Sequence, residues 1–328
     1  KGPTDRLTNI RPITVSSALA NLYERLILQH IDDVFETSRE QMGFKRSSST
    51  TDAIYYVRKA VDAVRRGSRL SKVYVCALDA SKAFDKVERP ILFKQLREIM
   101  DPTYFASLFN YYQDTNCVLS DGTHTIHTTL GVRQGGPLSP RLFCIYVDTM
   151  IRHIKVRKLG LEIDGDHVSI VMYADDVILI TDNEHKLRQM LAICESFGKS
   201  FGIKWNPEKS QVMVVTRKRV QEQVSVHLCD VQIPQTNEIK YLGVMLNSKL
   251  TNRDHLAERK RKAWRSYAAL CQHGLNTLAI TPRIKILMYK TVIRPTLHYG
   301  TECLSLNKSE IKSIQTVESN IFGLRTDD

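Results

Sequence analysis

Hydrophobic and polar positions recur with two different periods along this 328-residue chain, and the period assigns elements before any chemistry is considered. From Ser17 to Phe35, Leu19, Leu22, Tyr23, Leu26, Ile27 and Ile31 return at three- and four-residue steps, which predicts a helix burying those six side chains. Asp52 to Arg65 reads as a second helix. Val73 to Leu78 is a continuous apolar run, too short for a helix and suited to a buried strand, and it stops abruptly at Asp79. Pro102 to Tyr112 reads as helix, and Val118 to Thr129 alternates like a hairpin around Asp121 and Gly122. Gly131 to Pro140 is a Gly/Pro-rich loop whose last residues, Ser139 and Pro140, supply N-cap and first-turn chemistry for a helix through about His153.

Val168 to Tyr173 and Val177 to Thr181 are β-rich runs separated only by Ala174, Asp175 and Asp176, which predicts a tight hairpin with two carboxylates at its tip. A helix over about Glu184 to Phe201 follows, then short alternating strands through Leu246, then three helices starting near Asn252, Pro282 and Asn307. The order of elements is that of a mixed α+β protein. Apart from the short polar run Ser47 to Thr51, no low-complexity tract or repeat interrupts it, so solenoids and linkered arrays are excluded.

Charge changes the picture. Forty-seven Lys and Arg against 35 Asp and Glu leave a formal net charge of +12, which favours a polyanionic partner. At 42% hydrophobic and 25% charged residues, that charge belongs to a folded body rather than a basic tail. The seven cysteines are all at least 27 residues apart, so neither a disulfide scaffold nor a zinc finger is expected, and a reducing, intracellular compartment is. Apolar runs such as Val177 to Ile180 are far too short to cross a bilayer, and no membrane partner is expected. Arg217-Lys218-Arg219 is too short a basic cluster to establish nuclear entry. Residue 1 is Lys and the opening stretch reads as the middle of a domain, so a fragment of something larger is expected.

Two strand ends, at Asp79 and at Asp175/Asp176, bring three carboxylates together if their strands are neighbours in one antiparallel sheet. Clustered carboxylates repel unless cations neutralise them, and a pair of magnesium ions would do so while driving an in-line nucleotidyl transfer. Taken singly, each feature has an ordinary explanation: Asp-Asp is common in turns and Asp after a strand often caps a helix. The surrounding motifs decide between these.

Asn9-Ile10-Arg11-Pro12-Ile13, Gln41-Met42-Gly43-Phe44 with Arg46-Ser47-Ser48-Ser49-Thr50, and Ala77-Leu78-Asp79-Ala80-Ser81-Lys82-Ala83-Phe84-Asp85 occur in order. They are followed by Gly131-Val132-Arg133-Gln134-Gly135-Gly136-Pro137-Leu138-Ser139-Pro140, Tyr173-Ala174-Asp175-Asp176, Gly202 to Lys209, and Tyr241-Leu242-Gly243. The ordered set resembles the reverse transcriptase domain of non-LTR (LINE-type) retrotransposons, with group II intron reverse transcriptases as more distant relatives. The resemblance covers nearly the whole chain.

It implies a right-hand polymerase: fingers from residues 1–72 and 94–132, a palm with an antiparallel sheet from 73–93 and 133–248, and a helical thumb from 249–328. It implies RNA-directed DNA synthesis, with an RNA template, a DNA primer or nicked target DNA, and dNTPs. Asp79, Asp175 and Asp176 become the catalytic carboxylates, holding two Mg2+ ions with the Ala80 carbonyl as a further oxygen ligand and Mn2+ as a substitute. Phe84 becomes the ring beneath the incoming sugar, against which a 2′-hydroxyl would collide; a core aromatic is the bland alternative. Gln134 and Gly135 become nucleotide contacts, although Gly-Gly-Pro could simply turn the chain into a helix.

Arg11 is the matched triphosphate ligand from the fingers, where a guanidinium grips phosphate through two bonds. Lys1 stands near where relatives carry a further fingers lysine, on a hairpin that this sequence cuts short. Lys209 matches a lysine proposed to protonate departing pyrophosphate, against the reading of a surface lysine. Leu242 and Gly243 fall in the primer grip. Arg259, Lys260, Arg261, Lys262 and Arg265 put a basic face on one helix, over an apolar stripe of Leu256, Ala263, Tyr267 and Leu270, where the family's thumb tracks a duplex. A solvated charged face is the alternative there. Two other functions stay open at this stage: a catalytically silent nucleic-acid-binding derivative, and an RNA-dependent RNA polymerase, which Phe84 and the Tyr173–Asp176 sequence disfavour.

Overall fold

In a computed structural model, the structure describes residues 13–45, 48–65, 72–113, 116–119, 122–163, 165–216, 223–249, 251–277 and 280–323. Lys1, Arg11 and Arg46 lie outside the described residues.

The chain opens with α1 (Ala18–Val34), whose N-cap Ser17 accepts the Ala20 N–H through its hydroxyl at 3.2 Å, and α2 (Thr50–Arg65). Ile27 and Ile31 of α1 are buried and Tyr23 packs beside them, but Leu19, Leu22 and Leu26 are exposed. The reason is Glu24, fully buried on the same side as Ile27 and Ile31, which turns the helix about its axis and carries the three leucines outward.

Strand β1 (Lys72–Ala80) runs through the centre, followed by α3 (Arg89–Ile99), α4 (Pro102–Gln113) and the small hairpin β2 (Asn116–Val118) and β3 (Thr125–His127). α3 starts on Pro90 and buries Leu92, Phe93 and Leu96; it runs unbroken across the boundary expected at residues 93 and 94. α5 (Ser139–Val156) buries twelve of its residues. Its N-cap is Leu138 rather than Ser139, and the cap comes from far away: the Glu24 carboxylate accepts the Leu138 N–H at 3.2 Å. A carboxylate at a helix N-terminus satisfies an orphan donor and the helix dipole together.

The hairpin β4 (Leu161–Ile163) and β5 (Asp166–Val168) precedes β6 (Ile170–Tyr173) and β7 (Asp176–Thr181), then α6 (Glu184–Ser200) and the twelve-residue β8 (Trp205–Thr216). β6, β7, β1 and β8 form one antiparallel sheet in that order. β1 is therefore central, which explains its unbroken apolar run: Tyr74, Cys76 and Leu78 pack on one face with α5 and α6, while Val73 and Val75 pack on the other.

Short strands β9 (His227–Leu228) and β10 (Val231–Gln232) lead to the hairpin β11 (Glu238–Tyr241) and β12 (Val244–Asn247). The helices α7 (Arg253–Gln272), α8 (Pro282–Met288), α9 (Arg294–His298) and α10 (Lys308–Gly323) follow, with a π-helical turn at Tyr289–Ile293 joining α8 to α9. Leu256, Ala263, Ile293, Leu297, Ile314 and Val317 from these helices share a core with α2 and the second face of the sheet. Among the described residues no helix is long and apolar enough to cross a membrane.

Candidate active site

Register brings the aspartates to one end of the sheet. Leu78 stands opposite Val177 in the β1–β7 pair, so the next step along the ladder sets Asp79 beside Asp176. Strand alternation puts both on the face of Ala77 and Ile178, away from α5. In the β6–β7 hairpin, Tyr173 pairs with Asp176, leaving Ala174 and Asp175 as a two-residue turn with Ala174 in the left-handed region at φ 58°. Asp79 and Asp175 are half-buried and Asp176 is exposed.

Among the described residues no three His, Cys, Asp or Glu side chains converge to the spacing of a metal site. The backbone register thus brings the three aspartates to one end of the sheet. The donors are all oxygens, a set that suits a hard divalent cation such as Mg2+ and not Zn2+ in a thiolate site.

On the other side of Asp79, Leu78 alone stands opposite Pro207, Glu208, Lys209 and Ser210 of β8, because Ala77 pairs with Gln211 and Asp79 with Asn206. This bulge is stapled from within: Ser210 Oγ accepts the Asp79 N–H at 3.1 Å and donates to the Asn206 carbonyl at 2.8 Å. Lys209 sits exposed in the bulge, beside Asp79 along the backbone, its N–H bonded to Asn206 Oδ1 at 3.2 Å. Ala80 pairs with Trp205.

After β1, Lys82 takes a left-handed conformation and Ala83–Lys86 forms a single 3-10 turn that presents Phe84. Its ring stacks on the buried Phe143 of α5 at 4.4 Å between centroids and 17°, and Phe44 meets it edge-on at 6.4 Å. The loop before α5 docks on this turn: the Phe84 carbonyl accepts the Val132 N–H at 3.0 Å, and Gln134 Nε2 donates to Asp85 Oδ1 at 2.5 Å. Between them lies a cavity of about 320 Å³ lined by Phe44, Phe84, Asp85, Gln134, Gly135 and Asp175, among others. Three larger cavities, two of about 580 Å³ and one of about 470 Å³, include none of the three aspartates in their walls.

Gly135 and Gly136 are needed by the chain itself. A Cβ on Gly135 would lie 2.5 Å from the Thr14 carbonyl, and one on Gly136 would lie 2.4 Å from the Glu24 carboxylate. Glu24 also accepts the Tyr111 hydroxyl at 3.0 Å and lies 4.0 Å from the Arg133 guanidinium, which stacks on Tyr111. A buried carboxylate so surrounded fixes the loop that carries Gln134. Sequence periodicity had no means of finding Glu24, which reads as one more polar residue on α1.

Leu242 and Gly243 form the tip of the β11–β12 hairpin, both at positive φ. The Leu242 carbonyl accepts the Tyr299 hydroxyl at 2.9 Å, and the Gly243 carbonyl accepts from Arg259. Behind the tip, Tyr241 is buried and its phenol is held well above its usual range, first by burial and then by Asp176 and Tyr173 nearby.

The expected basic face divides. Arg259 is 6% exposed, stacked over Tyr299 and bonded to Gly243, so it fastens α7 to the hairpin and presents no charge outward. Lys260 is half-buried and donates to Ser313 Oγ on α10 at 3.0 Å. Arg261 and Lys262 both pair with Glu258, and Arg265 is exposed. The Lys262 ammonium is lowered from its usual range, first by burial and then by Arg259, Lys240, Arg261 and Arg265, a grouping of positive charge spanning α7 and β11.

Residues 1–246 match the family described as Reverse transcriptase (RNA-dependent DNA polymerase). The chain is 24% identical over 99% of its length to a probable RNA-directed DNA polymerase from transposon BS of Drosophila melanogaster. It is 26% identical over 97% of its length to the RNA-directed DNA polymerase from mobile element jockey of the same organism. It spans 37% and 36% of these two relatives. Among solved structures, a telomerase from Candida tropicalis in complex with a fragment of telomeric RNA superposes with a TM-score of 0.53 at 14% identity, over 94% of this chain and 47% of that one. The fold is that of the right-hand polymerases. The chain belongs to the reverse transcriptase family, and its relatives are the polymerases of non-LTR retrotransposons.

Proposed function

We propose that this chain is the polymerase core of a non-LTR retrotransposon protein, extending a DNA primer on an RNA template with dNTPs, with nicked target DNA as the natural primer. The observation that carries the reading is the register: Asp79 falls beside Asp176, and Asp175 opens into the cavity shared with Phe84 and Gln134.

Asp79, Asp175 and Asp176, with the Ala80 carbonyl, would hold a pair of Mg2+ ions, or Mn2+ in their place. When bound, the pair activates the primer 3′-hydroxyl and stabilises the leaving pyrophosphate. Phe84, backed by Phe143, stands where a 2′-hydroxyl would collide and so selects deoxyribonucleotides. Gln134 and Gly135 line the nucleotide's place. Lys209 in the β8 bulge gives a proton to the departing pyrophosphate, and Arg11 and Lys1, carried over from the family resemblance alone, grip the triphosphate. Leu242 and Gly243 support the primer end. Arg261, Lys262 and Arg265 track the duplex backbone, with Lys260 and Arg259 holding that helix in place.

In this reading residues 73–93 and 133–248, with the sheet, are the palm, the C-terminal helices from residue 249 are the thumb, and the fingers come from residues 1–72 and 94–132. The reading is tested by extending a labelled DNA primer on an RNA template while Mg2+ is titrated. Extension that needs template, dNTPs and divalent cation together is expected. Template-independent addition, or preference for rNTPs, contradicts it.

A further inference from the structure

We infer that Gln41 is a positioning residue for the turn that carries Asp175 and Asp176. This rests on the polymerase reading above and names what holds its central turn in place.

Gln41 is fully buried, and its carboxamide grips both backbone polar groups of one residue, Ala174. Oε1 accepts the Ala174 N–H at 3.1 Å and the Gly43 N–H at 3.0 Å, and Nε2 donates to the Ala174 carbonyl at 3.4 Å. Two N–H donors converge on one atom, so that atom is the oxygen, and the orientation of the amide follows. The grip falls where support is needed. Ala174 adopts φ 58°, which side-chain-bearing residues seldom take, and a two-residue turn leaves its polar groups outside the ladder.

The main chain around Gln41 reinforces the contact. The Met42 N–H donates to the Met172 carbonyl and the Met172 N–H to the Glu40 carbonyl, each at 2.8 Å, so this segment lies parallel along the outer edge of β6. Close approach is possible only because residue 43 is glycine: a Cβ there would lie 2.4 Å from the Ala174 nitrogen. Gln41, Gly43 and the turn thus fit as one unit, and the turn's far side faces the cavity through Ala174 and Asp175.

The test compares the full chain with Gln41→Ala, which removes the grip, and Gly43→Ala, which keeps the carboxamide but pushes on the Ala174 nitrogen. Two readouts are taken: amide hydrogen exchange of a peptide spanning residues 173–177 without metal or nucleic acid, and single-nucleotide incorporation. Both variants are expected to lose protection in that peptide while peptides from β1 and β8 keep theirs. kcat is expected to fall roughly ten- to hundredfold, with the dNTP KM within about twofold, as for a misplaced reacting group. Parental exchange at the turn, or loss of protection spread equally through β1 and β8, overturns the inference, as does an unchanged kcat in variants whose turn has loosened. Should the parent chain extend no primer, the polymerase reading fails by itself, and the exchange data still decide whether Gln41 holds the turn.

Discussion

Phe84 shows what a single residue contributes. Its position five residues after Asp79 singles it out only through resemblance; without that, an aromatic there reads first as core. In the folded chain one face of the ring lies on Phe143, and the residue borders the cavity with Asp175. A ring supported from behind cannot give way to an extra hydroxyl. Phe84→Val is therefore expected to raise the ratio of rNTP to dNTP incorporation efficiency about tenfold or more, the scale of a relieved steric contact. Matched single-nucleotide kinetics check this, and unchanged sugar selectivity removes Phe84 from that role. Arg259 is the opposite case. Its basic neighbours suggest a phosphate ligand, yet burial against Tyr299 and Gly243 makes it a fastener, a distinction that charge patterning along a helix cannot make.

Elements were legible where period and length agreed. β1, the β6–β7 hairpin, α5 and the helix over residues 184–200 all lie close to where their patterns place them, because a central strand and a long amphipathic helix are each dictated by a buried face. What stayed hidden depends on distant partners: the outward turn of Leu19, Leu22 and Leu26, the Glu24 cap on α5, and the β8 bulge opposite Leu78. α7 carries another such partner. His255 is buried between the hairpin and the helices, with Nδ1 accepting the Met245 N–H at 3.3 Å and Nε2 facing the Tyr299 carbonyl at 3.0 Å, which requires the neutral, Nε2-protonated ring. Burial lowers its pKa to about 4. The unfolded chain therefore binds the extra proton first, and stability falls as pH drops from about 6.5 through about 4, by on the order of 3 kcal/mol from this group. Denaturant unfolding at stepped pH measures the loss, and His255→Asn is expected to flatten that limb; an acid limb unchanged by the substitution contradicts the assignment.

At the scale of the molecule, one sheet separates two cores. The face toward α5 and α6 is closed by Leu142, Phe143, Tyr146 and their neighbours, and the other is shared among α2, the β11–β12 hairpin and the C-terminal helices. The aspartates stand at the end of that sheet, and Asp176 lies near Tyr241, behind the hairpin tip that Arg259 of α7 and Tyr299 at the end of α9 hold. In the proposed reading, the outward charge of α7 and β11 serves as a surface for a nucleic-acid backbone. Replacing both Lys262 and Arg265 by Ala is expected to weaken duplex binding and to reduce the slope of log affinity against log salt by up to about two, near one unit for each phosphate left unneutralised. Binding titrations at several salt concentrations read the slope, and an unchanged slope excludes these two residues as phosphate ligands. The net charge of +12 points to a polyanionic partner without placing the charge, and the placement depends on the fold.

The central claim is that the sheet end bearing Asp79, Asp175 and Asp176 performs RNA-templated DNA synthesis. Its most direct test is primer extension on an RNA template, with a DNA primer, dNTPs and Mg2+, by the parent chain and by the Asp175→Asn, Asp176→Asn double variant. The substitutions keep shape and remove charge. Extension by the parent that disappears in a variant still able to bind the duplex is the predicted result; a variant that extends as well as the parent would contradict the account.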